Sequence, residues 1–228
     1  MHTTQYAPGR SADVFGLRSQ PPVLLWHGTQ TDARAAVRPL AVRLTELGVA
    51  VVAPDWDSHA DDGGRSDLLH SVDFVRAWSD VPDRLALVGW SLGAVAAAGL
   101  TIEAAHYDVV VSHTVCLAGA FTARDPISGD ALRVAARADG SAFTLLHGRA
   151  DDVVPPAASH TFAAALQERG WPVQIAELAA DHGSIAGARY DAAADRYSPA
   201  EDPTTRRVVR DVAGHIATAM DRSGCFRR

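Results

Sequence analysis

Short apolar runs rich in Val, Leu and Ile recur along the chain, separated by longer Ala-rich stretches whose apolar positions follow a helical period. The runs predict strands over Ala12 to Leu17, Val23 to Trp26, Val49 to Ala53, Leu85 to Val88, Val109 to Leu117, Phe143 to Leu146 and Val173 to Leu178. The intervening patterns predict helices over Asp32 to Leu47, Ser66 to Ser79, Leu92 to Ala105, Pro156 to Arg169 and Thr204 to Asp221. Gly48 and Gly170 punctuate two of the helix ends, and Trp171-Pro172 forces extended chain after the second. Continuous apolar strands, each followed by a helix, are the mark of a parallel sheet buried on both faces. The expected class is therefore α/β, with a three-layer, mostly parallel twisted sheet and helices on both sides. With neither repeat nor low-complexity linker, residues 1–228 are expected to form a single domain.

Composition narrows the function more than the fold. Hydrophobic residues make up 47% and charged residues 21% of 228 residues, so the chain can bury a normal core. No stretch is apolar for long enough to cross a membrane. The net charge is −6, and the 21 basic residues are all Arg and scattered, which leaves no basic stripe for nucleic acid. Two cysteines, Cys116 in an apolar run and Cys225 near the end, give no disulfide framework and no Cys-based metal site. The start of the chain lacks a secretion signal, and a cytoplasmic location is expected.

The most informative residues are Gly89-Trp90-Ser91-Leu92-Gly93. They sit between the strand pattern Arg84 to Val88 and the helical run that opens at Ala94, which is the context this pentapeptide needs to act as a nucleophile elbow. A Ser on so sharp a turn has its hydroxyl thrust outward, and Gly two positions to either side avoids collisions with strand and helix. The next amide, that of Leu92, lies at a helix N-terminus, where free donors and the positive dipole end suit an oxyanion. A serine hydroxyl also needs a base and an orienting carboxylate.

On these residues the chain resembles the α/β-hydrolase family, in particular small, acetyl-esterase-like serine carboxylesterases without a cap domain. Val23-Leu24-Leu25-Trp26-His27-Gly28-Thr29 is similar to the family's strand ending in a His-Gly turn, which implies Thr29, or a neighbouring amide, as second oxyanion donor. Asp55, closing a strand, is a frequent family feature, and Tyr6 to Arg10 followed by Ala12 to Phe15 resembles the opening of these esterases. His147-Gly148-Arg149-Ala150-Asp151-Asp152-Val153-Val154-Pro155 resembles the segment presenting the acid, which implies Asp151, with adjacent Asp152 the alternative. Ala180-Asp181-His182-Gly183 resembles the turn of the catalytic His, and the order Ser91, Asp151, His182 is the family's. The run after Gly28 departs from the longer glycine run of such relatives, and Ser91 stands where dienelactone hydrolases carry Cys.

The resemblance implies a hydrolase of carboxylic esters working through an acyl-enzyme, with no cofactor and a small-molecule ester as partner. The same triad would serve a thioester, a lactone or an aryl formamide, and the same fold could serve a ligand-binding protein without activity. The other histidines fit structural roles better: His70, His106 and His215 fall on helical segments, and His27 and His147 precede Gly in turns. The polar stretch Trp56 to Gly64 has carboxylates and an imidazole, but not the spacing of a Ca²⁺ loop, and is expected to be a solvated loop and not a metal site. Trp56 and Trp90, with Trp26, border the same edge and are candidates to line a pocket. The interval Gly119 to Ser141 is too short for a cap domain and leaves room for one helix, such as Ala131 to Ala138. An exposed site and short or accessible acyl groups are therefore expected.

Overall fold

The computed structural model describes residues 1–135 and 141–224. An eight-stranded sheet runs through it: β1 (His2–Ala7), β2 (Arg10–Phe15), β3 (Pro22–Trp26), β4 (Ala50–Pro54), β5 (Ala86–Trp90), β6 (His113–Leu117), β7 (Ala142–Gly148) and β8 (Val173–Leu178), in the spatial order β1-β2-β4-β3-β5-β6-β7-β8. The six strands from β4 to β8 in that order are parallel, and β2 and β1 close one edge antiparallel.

Side chains alternate between the two faces of each central strand, and each face has its own helices. Val23, Leu25, Val51, Val88, Val115 and Leu146 pack against α1 (Arg38–Glu46) and α5 (Pro203–Arg222). On the other face, Leu24, Trp26, Val52 and Leu87 meet α2 (Arg65–Trp78) and α3 (Leu92–Ile102), while Phe143 and Leu145 meet α3 and α4 (Ala157–Glu168). The result is the expected three-layer α/β arrangement. All seven predicted strands and all five helices exist, with ends shifted by a few residues. The first helix starts as a 3₁₀ turn at Arg34–Val37, Pro39 taking the place near the start of α1 where its missing N–H costs nothing.

Three features depart from the sequence reading. The N-terminal residues form β1, an edge strand joined to β2 across the two-residue turn Pro8-Gly9, in which Gly9 takes φ 75°. Not every strand is followed by a helix: among the described residues, the link from β6 to β7 is irregular. There Asp125 is 3% exposed, and its carboxylate accepts from the amides of Ile127 and Ser128 while Ile127 plugs the core. Residues 131–135 of the suggested helix Ala131 to Ala138 are not helical, and its last three lie outside the described residues. Finally, a separate hairpin, β9 (Ala188–Asp191) and β10 (Arg196–Pro199), occupies a stretch without a strand prediction, between β8 and α5. Among the described residues no helix is long and apolar enough to cross a membrane.

Candidate active site

In a parallel sheet the carboxyl ends of neighbouring strands open onto one rim, and the turns that follow them meet there. Here Ser91 follows β5, Asp151 follows β7 and His182 follows β8. Backbone hydrogen bonds continue the ladder past the strand ends: Ser91 N to Leu117 O (2.9 Å), Ala118 N to Leu146 O (2.9 Å) and Ala150 N to Ala180 O (3.0 Å). The turns are therefore held in register by main chain, independently of their side chains.

Ser91 has φ 56° and ψ −117°, a conformation L-residues rarely adopt, and it is 8% exposed. The strain, typically of order 1–3 kcal/mol, is offset by a fully bonded backbone, since Ser91 O also accepts from the amides of Ala94 and Ala120. Leu92 opens α3 immediately after it, so its amide is one of the four at a helix start without an intrahelical acceptor. On the adjacent strand, Gly28 faces the serine: a Cβ placed on it would stand 3.2 Å from Ser91 Cβ and 3.7 Å from Oγ. Thr29 comes next.

Asp151 and His182 meet directly. His182 Nδ1–H donates to Asp151 Oδ2 at 2.8 Å, which fixes the tautomer and leaves Nε2 on the opposite side of the ring. The other carboxylate oxygen, Oδ1, accepts from the amides of Val153 (3.0 Å) and Val154 (2.8 Å). His147 Nε2 lies 3.3 Å from Oδ2 as well and donates to Val154 O at 2.8 Å, while Ser159 Oγ donates to its Nδ1 at 2.7 Å. Burial acts to raise the Asp151 carboxyl, but the bonds from His147, His182 and the Val154 amide outweigh it and hold the group well below the usual carboxylate range. Asp152 points outward and is exposed. Thus Asp151, not Asp152, touches His182.

His182 is 3% exposed. Its backbone is tied to β5, because the Trp90 indole N–H donates to His182 O at 2.8 Å, and the two rings lie 5.5 Å apart. The His182 turn is thereby joined to the residue preceding Ser91. Among the described residues no hydrogen bond links Ser91 Oγ to the imidazole.

The tryptophans are packing residues in large part. Trp56 is fully buried, stacks on His27 and donates from Nε1 to His27 O at 3.2 Å; Trp26 is fully buried and donates to Ser71 Oγ. Trp90 is 2% exposed. Of the three, Trp90 alone touches the His182 turn, and Trp56 faces the core instead of a pocket because its N–H finds its acceptor there.

The segment from Trp56 onward is less free than a solvated loop. Thr31 Oγ1 donates to Asp57 Oδ1 at 2.7 Å, and Ser58 Oγ donates to Thr29 O at 2.7 Å. Among the described residues no group of three or more His, Cys, Asp or Glu side chains is arranged to hold a metal ion. His70, His106 and His215 are exposed and remote from the rim turns.

His27 has the structural part expected of it, and its chemistry is specific. Nδ1–H donates to Gly28 O at 2.9 Å, and Nε2 accepts from the amides of Ala33 (3.2 Å) and Trp56 (3.3 Å). Only a neutral ring can do both. Burial, at 0% exposure, pushes its pKa down to about 4. In a trans peptide the N–H points opposite to the C=O, so pinning Gly28 O fixes the Thr29 amide facing away from the ring. His113 is a second buried imidazole, bonded to Ser223 Oγ and Thr144 Oγ1; burial, with Arg222 nearby, also lowers it to about 4.

Both rings titrate near 6.5 when unfolded, so their neutral forms contribute fully above that pH, and stability falls as the pH drops toward 4. The loss is of the order of 3 kcal/mol per imidazole. Urea midpoints measured between pH 7.5 and 4.5 are expected to fall steeply, and His113→Gln is expected to flatten that slope.

A model of the alpha/beta hydrolase family matches residues 23–224. No curated protein matches the chain by sequence. Among solved structures, the fold is similar to a thermophilic esterase from the Planctomycetes species Thermogutta terrifontis with propionate bound, at a TM-score of 0.75 and 13% identity, over 100% of this chain and 96% of that one. It is also similar to esterase 2 of that organism phosphorylated by paraoxon, at a TM-score of 0.72 and 16% identity over 94% and 92% of the two chains. At such identities the likeness is one of fold.

Proposed function

Since the chain belongs to the alpha/beta hydrolase family, we propose that it cleaves carboxylic esters of small molecules through an acyl-enzyme intermediate, with Ser91 as nucleophile, His182 as base and Asp151 as its orienting acid. The observation that carries this reading is the 2.8 Å bond from His182 Nδ1 to a buried, ionised Asp151, on a turn tied to the strand that ends in the strained Ser91. That bond leaves Nε2 as the ring's proton acceptor, and serine–imidazole contacts often tighten only once substrate is bound.

In the first half-reaction the Ser91 hydroxyl adds to the ester carbonyl while His182 Nε2 takes its proton. The carbonyl oxygen becomes an oxyanion held by the amides of Leu92 and Thr29. Collapse expels the alcohol, which leaves with the proton from His182, and an acyl group remains on Ser91. Water then repeats the sequence and releases the acid. Asp151, held ionised, stabilises the imidazolium in both halves and does not itself take a proton. No step calls on a cofactor.

The T. terrifontis esterase has been captured with propionate, with butyrate and phosphorylated by paraoxon, which favours short acyl groups here by analogy of fold. A fluorophosphonate probe is expected to label the folded protein at Ser91, located by peptide mass spectrometry. Folded protein that stays unlabelled would instead be a binding protein on a hydrolase fold. In a panel of p-nitrophenyl esters, acetyl and butyryl esters are expected to turn over faster than long-chain ones, and parallel thioester, lactone and aryl formamide assays identify the preferred bond.

A further inference from the structure

The hairpin β9–β10 is rooted beside the base: Ala188 N donates to Gly183 O at 2.9 Å, one residue past His182. Its second strand carries Tyr197, whose ring meets Trp90 edge-on at 5.0 Å and 89° and lies 5.9 Å from the His182 ring. On its other side the hairpin is bonded by the Gln30 side chain. Gln30 Oε1 accepts from Tyr197 N at 2.6 Å, and Gln30 Nε2 donates to Tyr197 O at 3.2 Å. The carboxamide thus satisfies both backbone groups of one residue, as a neighbouring strand would.

Gln30 follows Thr29 directly. The turn after β3 and the turn after β8 are separated in the sheet by β5, β6 and β7, so the strand ladder sets one against the other only through three intervening strands. The path Gln30, Tyr197, Trp90, His182 spans that gap above the rim.

We propose that Gln30 is a positioning residue that latches the Tyr197 hairpin to the Thr29 turn, thereby fixing the oxyanion amide and the His182 imidazole relative to one another. This rests on the reading of Ser91, His182 and Thr29 given above. A long polar side chain loses rotamer freedom when held in one geometry; here that ordering is exchanged for two bonds to the outer strand of a two-stranded hairpin. The turn after Gly28 has no glycine run, and it is braced instead by Ser58 on one side and by Gln30 on the other.

The test is a double-mutant cycle on p-nitrophenyl acetate. Gln30→Ala is expected to lower kcat roughly tenfold or more, as misplacement of working groups by a fraction of an ångström does, with KM changed less than about twofold. Tyr197→Ala is expected to do the same, and the double variant to lose no more than either single one. Gln30→Glu supplies a signature that a merely structural role does not: as a carboxylate it faces Tyr197 O without a proton to donate, and when protonated it regains the donor. Its kcat relative to wild type is therefore expected to rise between pH 8 and pH 5. Wild-type protein that is active and labelled at Ser91, together with an unchanged kcat in Gln30→Ala, additive losses or a flat Gln30→Glu ratio, overturns the latch alone. Wild type that is neither labelled nor active overturns the esterase reading itself. Should Gln30→Ala fail to fold, Gln30→Glu carries the test through its pH ratio.

Discussion

Ser91→Ala is expected to lower kcat on a short ester by about four to six orders of magnitude, and His182→Ala by a similar factor. A loss of 10⁵ corresponds to about 7 kcal/mol of barrier, more than any packing change at these positions would produce. For Ser91 the effect is chemical because its side chain does not hold the fold together. Ser91 Oγ makes no hydrogen bond among the described residues, and the turn is fixed by bonds from Ser91 N and to Ser91 O that alanine keeps. The double variant is expected to be no slower than either single one, since hydroxyl and imidazole act as one unit. Thermal midpoints and circular dichroism of Ser91→Ala are expected to match wild type. Retained turnover in a variant that no longer takes up a fluorophosphonate would show that another group performs the chemistry.

Asp151 differs from these two, because it is embedded. Removing its carboxylate takes the acceptor from the amides of Val153 and Val154 and from the ring of His182 at once. An Asp151 variant is therefore expected to lose stability as well as activity, so the serine is the cleaner probe.

How far the sequence discloses this site follows from which contacts are local. The elbow is a pattern of five residues between a strand and a helix, so Ser91 and Leu92 are legible without any tertiary information. Strand identities were legible for the same reason: period-two and continuous apolar runs reflect burial on one or both faces. The pairing of Asp151 with His182 is legible only through family resemblance, since 31 residues separate them in the chain. The tie between Gln30 and Tyr197 spans 167 residues, and nothing near either residue announces it. Tyr190-Asp191 and Asp195-Arg196-Tyr197, tyrosine runs flanking Ala192-Ala193-Ala194, were the available sign of a hairpin. Pro8-Gly9 between Thr- and Val-bearing runs was the sign for β1. The link from β6 to β7 has no helix because Asp125-Pro126-Ile127-Ser128-Gly129-Asp130 is turn chemistry, in which a carboxylate satisfies the amides that a helix would otherwise bond. Trp56 was placed at the correct edge but on the wrong side of it, its indole N–H being satisfied by a backbone carbonyl of the core.

Gly93→Ala is expected to damage the protein severely although it adds a single methyl group. An alanine Cβ there would stand 2.3 Å from His27 O and 2.7 Å from Trp26 O, main-chain atoms at the end of β3 and just after it. Neither carbonyl belongs to a flexible side chain, so helix α3 must lift off the sheet to make room. Overpacking of this kind costs roughly 3 kcal/mol or more, which in a domain of this size lowers the thermal midpoint by several degrees. Activity is expected to fall further than stability alone would dictate. Lifting α3 moves the Leu92 amide away from the Thr29 turn, and His27, whose carbonyl takes the collision, is also the residue whose ring pins Gly28 O. Gly89→Ala makes the converse clash, with Gly93 O at 2.1 Å, and is expected to behave alike. Gly214→Ala, on the exposed face of α5 with no atom within 4 Å of the new Cβ, is the matched control and is expected to hold or slightly raise the midpoint through helix propensity. Equal thermal midpoints for Gly93→Ala and Gly214→Ala, with kcat preserved in both, would show that the strand-to-helix turn is far softer than its backbone contacts imply.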